Sequence, residues 1–553
     1  MRTERGVGPW RVGLLALIVS VVTLARAQDS GFPVPAAQPN QATQSVSQIS
    51  GVVQEFRFQG NEVFTSNQLA QVLAPWQGHE LRSEDLEDAR RALTMHYVTN
   101  GYINSGAVLE DPTVKEGVVM FRIVEGRLSE VHVSGNTWLR TNYIRQRLQT
   151  HADPPLNLFD LRDELLMLRE NQNVKRINAE LQPGAELGTS LLDVKVEDGN
   201  PWHLGLQVRN DRPPSVGAEA FEVLASHSDL SGNSDALELR YGLAHRTHEG
   251  ADFSGLGNLG ASYTLPFTAR ETTLQLYYNR SDYSVIEEPF QTLDIESESS
   301  TYGMTLRQPL YRTIHREVAL GFTGERRESE TFLLGQRFSF SPGAVDGRSV
   351  VSAARFFQEW VERNQTQVLV VRSTLSWGLD VLGATKGGLV GTNRTDRDGL
   401  FFSWQGQAQY VRRLGNHQLV LSTSSQWAND PLLSLEQFSL GGANTVRGYR
   451  ENQLVRDMGL VSSVEFRLAV WTGKTGNTIL QLAPFFDYGI GWNVKDPSPP
   501  GSDLMSTGIG LIFTPHRKVF AKVYWGYPFR HFESQNNDLQ DYGLHFKLNV
   551  SLF

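Results

Sequence analysis

From Trp202 to Phe553 the chain alternates between apolar and polar residues, and this pattern constrains the fold more than any other feature. A strand sends successive side chains to opposite faces, so alternation predicts strands with one apolar and one polar face. Leu237, Leu239, Tyr241 and Leu243 alternate with Glu238, Arg240 and Gly242. Phe402, Trp404, Ala408 and Tyr410 alternate with Ser403, Gln405, Gln407 and Gln409. Leu460, Val464, Phe466, Leu468 and Val470 alternate mostly with Ser463, Glu465, Arg467 and Ala469. A water-soluble sandwich would turn the apolar rows inward; a membrane barrel would turn them to lipid and line its lumen with the polar rows.

Connection lengths separate the two. The region holds about sixteen strand candidates, and outer-membrane barrels have even strand numbers, short periplasmic turns and long external loops. Short connections fall at Arg413–His417, Trp471–Asn477 and Thr514–Lys518. Long ones fall at Asp282–Ser297, Phe332–Ser349, Gly378–Asp398 and Asn429–Arg456. The last segment alternates through Leu544, Phe546, Leu548, Val550 and Leu552 to Phe553, which reads as a closing strand with a terminal assembly signal. In lipid such a strand must pair with the first, because an open edge leaves backbone groups unsatisfied. The expected fold is therefore a 16-stranded antiparallel transmembrane barrel over residues 200–553.

The N-terminus reads as an address. Arg2, Arg5 and Arg11 precede the apolar run Val12–Leu24, which is too short to span a bilayer. Ala25-Arg26-Ala27 offers a cleavage site, so residues 1–27 are read as a signal peptide. Residues 28–51, rich in Pro, Gln, Ser and Ala, read as a linker.

Between linker and barrel lies a repeat. Val53-Gln54-Glu55-Phe56-Arg57-Phe58 leads into Gly60-Asn61, and Val131-His132-Val133-Ser134 into Gly135-Asn136. Two helical patterns follow each turn: about 66–75 and 84–99, then about 141–150 and 159–171. Each copy closes on strands ending at Glu125-Gly126 and Asp198-Gly199. The order βααββ thus occurs twice, over 52–126 and 127–199.

This arrangement resembles the transporter subunit of two-partner secretion systems, the haemolysin and filamentous-haemagglutinin secretion and activation family of Gram-negative bacteria. In that family the repeats are polypeptide-transport-associated (POTRA) domains. Two motifs carry the resemblance. Gly441-Gly442-Ala443-Asn444-Thr445-Val446-Arg447-Gly448-Tyr449 contains the family's Val-Arg-Gly-Tyr signature and falls in the sixth long loop. Phe485-Phe486-Asp487-Tyr488-Gly489 matches its Phe-x-Asp-x-Gly motif in the thirteenth strand. By parity Phe485, Asp487 and Gly489 face the lumen. An ionised Asp there needs a partner. The resemblance implies that the loop folds into the lumen and that Val446, Arg447, Gly448 and Tyr449 form a gate, with Arg447 pairing Asp487 through its planar fork. Gly448 would supply a positive φ, and Tyr449 would pack on the wall.

The resemblance further implies an outer-membrane protein with periplasmic POTRA domains. These would bind an unfolded β-helical adhesin or haemolysin-like exoprotein and pass it through the pore without nucleotide hydrolysis. Membrane lipid and the barrel-assembly machinery would be its other partners. Rival readings are a barrel-assembly insertase of the same superfamily, which would usually carry more repeats, and a passive porin, which would need none. Some members carry an N-terminal plug helix; here only a Pro- and Gln-rich stretch precedes the first repeat.

Other chemistry has little support. There is no Cys, which excludes disulfides and thiolate sites. The net charge of -9 gives no sign of nucleic-acid binding. Gly255-Leu256-Gly257-Asn258-Leu259-Gly260 fits GxGxxG by letters but lies in a strand-rich stretch. His245, His248 and Glu249 lack metal-ligand spacing. No GxSxG elbow or P-loop occurs, so no enzyme, cofactor or metal is expected.

Overall fold

The computed structural model describes residues 51–553 except 111–115, 151, 153, 245–254, 288–292, 388, 391–392, 395–396, 475, 496–497, 499–500 and 534–537. The expected signal peptide, nearly all of the linker, and His245, His248 and Glu249 lie outside the described residues. The chain divides into two compact units, with the boundary between Gly199 and Asn200.

The first unit contains the βααββ order twice. Its first sheet runs Glu55–Gln59, Val118–Val124, Gly106–Val108; its second runs Arg127–Ser134, Thr189–Asp198, Val174–Pro183. In each, the opening strand pairs parallel with the closing one. Helix Ser66–Val72 starts at a capping box of Thr65 and Gln68 and gives way to a short 3-10 turn, Ala74–Trp76, at Pro75. Pro lacks an N–H, which explains why this helix is shorter than its apolar pattern. Helix Ser83–Thr99 buries Leu86, Ala89, Leu93 and Tyr97 against the sheet. In the second copy, helix Thr141–Thr150 is followed by Leu158–Arg169, whose N-terminus Asn157 caps by accepting from the Phe159 amide at 2.8 Å. Each copy closes its own apolar core.

The repeat extends to its polar details. Gly60 and Gly135 have φ of 84° and 82°, and a Cβ on either would meet the carbonyl oxygen of Ile123 or Val196 at 2.7 Å. Each turn is then held by an acid at or just past the end of its closing strand. Glu125 Oε1 accepts from the amides of Glu62 and Val63, both at 2.9 Å. Asp198 Oδ2 accepts from Thr137, Trp138 and Leu139 at 2.6, 2.7 and 3.1 Å. The Tyr97 hydroxyl also donates to Glu125, and burial together with that carboxylate raises the phenol's pKa.

The second unit is a closed antiparallel barrel of sixteen strands, from Trp202–Arg209 to Leu544–Ser551, which pair with each other to complete the ring. Phe553 stands just past that strand, its carbonyl accepting from the Leu204 amide at 3.3 Å. Among the described residues no helix is long and apolar enough to cross a membrane. The outward rows are those expected: Leu239, Tyr241, Leu460, Val464 and Val470 are exposed on the barrel's outer wall. Gly255–Pro266 is the fourth barrel strand, so its glycines form wall and no phosphate-cradling loop. Register and parity fix which side chains face the lumen, and this sets up the site.

Candidate functional site

The eleventh strand, His417–Ala428, and the twelfth, Met458–Thr472, are joined by residues 429–457. The middle of this loop forms a small hairpin, Phe438–Leu440 paired with Leu454–Arg456. Alternation in so short a segment gave no signal, and the hairpin was not expected from sequence. It packs in an apolar cluster in which Leu440, Val446 and Tyr449 of the loop meet Val461 of the twelfth strand and Leu504 of the fourteenth. The loop is thus folded against the inner wall.

The thirteenth strand, Thr478–Trp492, receives it. Phe486 is 43% exposed on the outside, while Phe485 and Asp487 are 4% and 0% exposed on the inside. Three inward positions of this strand meet the loop, two of them at Arg447 and the third at Val446 and Leu440. Asp487 accepts from Arg447 Nε and Nη2, both at 2.8 Å, and from the Arg447 amide at 3.0 Å. Phe485 presents its ring to the same guanidinium, 3.6 Å from the centroid, and Tyr524 adds a second ring at 4.6 Å. Gly489 leaves space: a Cβ there would meet Val446 Cγ2 at 2.8 Å and Leu440 Cδ2 at 2.9 Å. The spacing Phe-x-Asp-x-Gly therefore follows from strand period two, with a ring, a charge and a gap on one face.

Sequence reasoning named Arg447 and Asp487 but missed how many other groups converge on them. Ser463 accepts from Arg447 Nη2 at 3.0 Å and donates to Asp487 at 2.6 Å. Glu465, expected only as a lumen-lining residue, binds Arg447 Nη1 and also accepts from Arg467 at 2.6 Å. The buried cation is thus shared between two carboxylates, both of which have a second partner, as buried charge requires. Gly448 has φ of 91°, and a Cβ there would meet the backbone of Gly526 at 2.8 Å, so both conformation and space demand glycine. Its amide donates to His545 Nε2 of the closing strand at 3.2 Å. The Tyr449 hydroxyl donates to the Met505 carbonyl at 2.9 Å and accepts from the Arg530 amide at 3.2 Å.

Three further attachments flank this centre. On its N-terminal side, Glu436 pairs with Arg355 of the eighth strand at 2.7 Å and with Arg327 of the seventh at 3.5 Å; both arginines also bind Glu325. At its tip, Arg450 forks onto Asp541 and reaches Glu287 at 2.8 Å, joining loops 529–543 and 285–294. At its base, buried Asp457 accepts from Arg397, Leu432, Gln437 and Val494. These pairings join residues far apart in the chain, and nothing local in the sequence marks them.

The remaining lumen is lined by polar side chains. A hollow of about 590 Å³ is lined by Gln405, Gln407, Gln426, Arg327, Arg355 and Glu436, among others. Lower on the wall, Arg307 binds Glu317 and Glu359, and Glu359 also binds Arg372. Among the described residues no cluster of His, Asp or Glu is suited to hold a metal. The arrangement is a hollow barrel with a loop tied to its inner wall and to neighbouring loops by ion pairs.

Comparison with known proteins agrees with this architecture. Residues 188–513 match the family model described as haemolysin secretion/activation protein ShlB/FhaC/HecB, and residues 52–126 match the POTRA domain, ShlB-type. The heme/hemopexin transporter protein HuxB of Haemophilus influenzae is 22% identical, covering 82% of this chain and 78% of its own. The outer membrane transporter CdiB of Dickeya dadantii is 23% identical over 80% of this chain and 77% of its own. The solved structure of CdiB from Escherichia coli superposes with a TM-score of 0.69 at 20% identity, over 94% of both chains. The structure of BamA from Haemophilus ducreyi lacking POTRA domains 1–3 gives 0.52 at 13% identity, over 92% of this chain and all of that one.

Proposed function

The chain belongs to the ShlB/FhaC/HecB haemolysin secretion/activation family of two-partner secretion transporters in the outer membrane, and on that premise we propose that it exports an unfolded protein partner through a pore gated by loop 429–457. The observation that carries this reading is the Arg447 centre: a barrel with a polar lumen has a loop strapped inside it through charges that the wall itself supplies.

The steps follow from the parts. The βααββ units stand in the periplasm, and among the described residues their edge strands are Glu55–Gln59 and Gly106–Val108 in one sheet, Arg127–Ser134 and Val174–Pro183 in the other. An extended segment of the partner adds to such an edge through main-chain hydrogen bonds, with pockets beside the helices reading its side chains. The strap then lets go of the wall, and the partner threads past glutamines and paired charges that cannot hold apolar side chains tightly. No nucleotide is hydrolysed; folding of the partner outside draws the chain through. The partner's class, a β-helical adhesin or haemolysin-like exoprotein, and insertion of the barrel by the assembly machinery are part of this proposal.

Deleting residues 52–198 tests it. A transporter loses export of its partner but keeps its pore conductance, whereas a passive porin keeps its function. The insertase reading predicts that depletion lowers the amounts of other outer-membrane barrels; an unchanged complement of barrels with a lost exoprotein supports transport.

A further inference from the structure

A feature on the outside of the barrel is independent of gating. A hollow of about 720 Å³ opens on the outward face of strands three to eight, within the range of small-ligand sites of about 300–1,000 Å³. Its floor is a cross-strand row in which Leu276, Met304, Gly324 and Ala354 are register partners on the fifth to eighth strands. A Cβ built on Gly324 would find no heavy atom within 4 Å, so the wall is recessed where its neighbours are bulky.

The roof comes from the loop after the ninth strand. The Leu379 amide donates to the Ser352 carbonyl at 2.7 Å, and the Thr385 amide to the Val350 carbonyl at 2.9 Å. Residues 380–384 therefore bulge away from the ladder between two closely spaced anchors. Arg326 determines where the bulge lies. It sits on the outward parity of the seventh strand, beside Tyr302, its ring 5.6 Å away, and its Nε donates to the Leu382 carbonyl at 3.0 Å. The bulge is thus stapled to the outer wall. It presents Leu379, Val381 and Leu382 openly, Leu382 being 67% exposed with φ of 53°. A leucine held in the left-handed region with its side chain uncovered is costly in water and suits a hydrocarbon surround.

We infer that this hollow holds an acyl chain of an outer-leaflet glycolipid of the lipid A class. The leaflet follows from position: the bulge belongs to a long loop, and long loops mark the external end of such barrels. The chemistry follows from the lining. Arg326 and Arg348 already face Glu328, so hydrocarbon shape and not headgroup charge is what the site reads. Bulk lipid is equally apolar, so retention rests on close packing in the recess.

The test uses the full chain reconstituted in nanodiscs containing lipid A, or phosphatidylethanolamine alone, then extracted in mild detergent and weighed by native mass spectrometry. The wild type retains lipid A. Gly324→Leu, whose Cβ meets no neighbour within 4 Å and whose side chain extends into the recess while keeping the face apolar, lowers retention by about tenfold. Its heat-modifiable gel migration, the mark of a folded barrel, stays as in the wild type. Leu382→Asp, on the roof, gives the same loss. Equal retention by wild type and Gly324→Leu, retention of no lipid, or preference for phosphatidylethanolamine overturns the assignment.

Discussion

Replacing Arg447 by Ala is the most direct probe of the proposed gate. The side chain is 8% exposed, and its loss removes two bonds to Asp487, one to Ser463 and one to Glu465. Breaking a buried pair from one side costs about 3–5 kcal/mol, because the surviving charge is stranded. Here the survivors are not wholly abandoned: Asp487 keeps Ser463 and the main-chain amide of residue 447, and Glu465 keeps Arg467. The low end, about 3 kcal/mol, therefore applies. At about 1.4 kcal/mol per decade, the ratio of open to closed pores rises about a hundredfold. Single-channel recording in planar bilayers reads that ratio. Arg447→Lys, which keeps the charge but not the fork, falls between the two. In a double-mutant cycle, Asp487→Ala made on top of Arg447→Ala costs much less than it does alone. An open probability for Arg447→Ala within about twofold of wild type would refute the claim that this centre holds the pore shut.

Two other perturbations have defined outcomes. Glu436→Gln frees the N-terminal arm of the same loop while Arg355 keeps Glu325; a loss of about 1–2 kcal/mol increases openings roughly tenfold in the same recordings, and unchanged openings would exclude Glu436 as a second tie. Asp198→Ala strips the acceptor from three amides in the second βααββ unit; it destabilises that turn by about 2–4 kcal/mol, seen in the intact protein as faster hydrogen exchange at residues 137–139, and unaltered exchange would refute the assignment.

What the sequence disclosed, and what it withheld, follows from the range of the forces involved. Alternation in Leu237–Leu243 or Leu460–Val470 reports which face meets lipid, since every residue of a strand feels that choice. The repeat was legible for the same reason: Gly60-Asn61 and Gly135-Asn136 are local turn chemistry. The acids that secure those turns, Glu125 and Asp198, lie far along the chain, and only the parallel pairing of first and last strands brings them close. At the site, Arg447 and Asp487 stood out because motif and parity marked both. Glu465 and Glu436 did not, because their partners depend on how the loop lies across the lumen. Phe485 and Gly489 were visible as letters, but their tasks as a ring and as a gap appear only once Val446 and Arg447 are in place. The bulge at 380–384 read as an ordinary loop, since composition does not tell which side of the wall a connection hangs on.

The wall of the lumen along strands six to nine has its charges already mated, Arg307 with Glu317 and Glu359, Arg355 with Glu325. Opposite signs set side by side cancel within a short distance and leave the water column with little potential of its own. Such a lumen is expected to discriminate weakly between potassium and chloride, which reversal potentials in asymmetric KCl would read. On the proposed export function it would be equally indifferent to acidic and basic stretches of a passing polypeptide, which would leave the choice of cargo to the βααββ units.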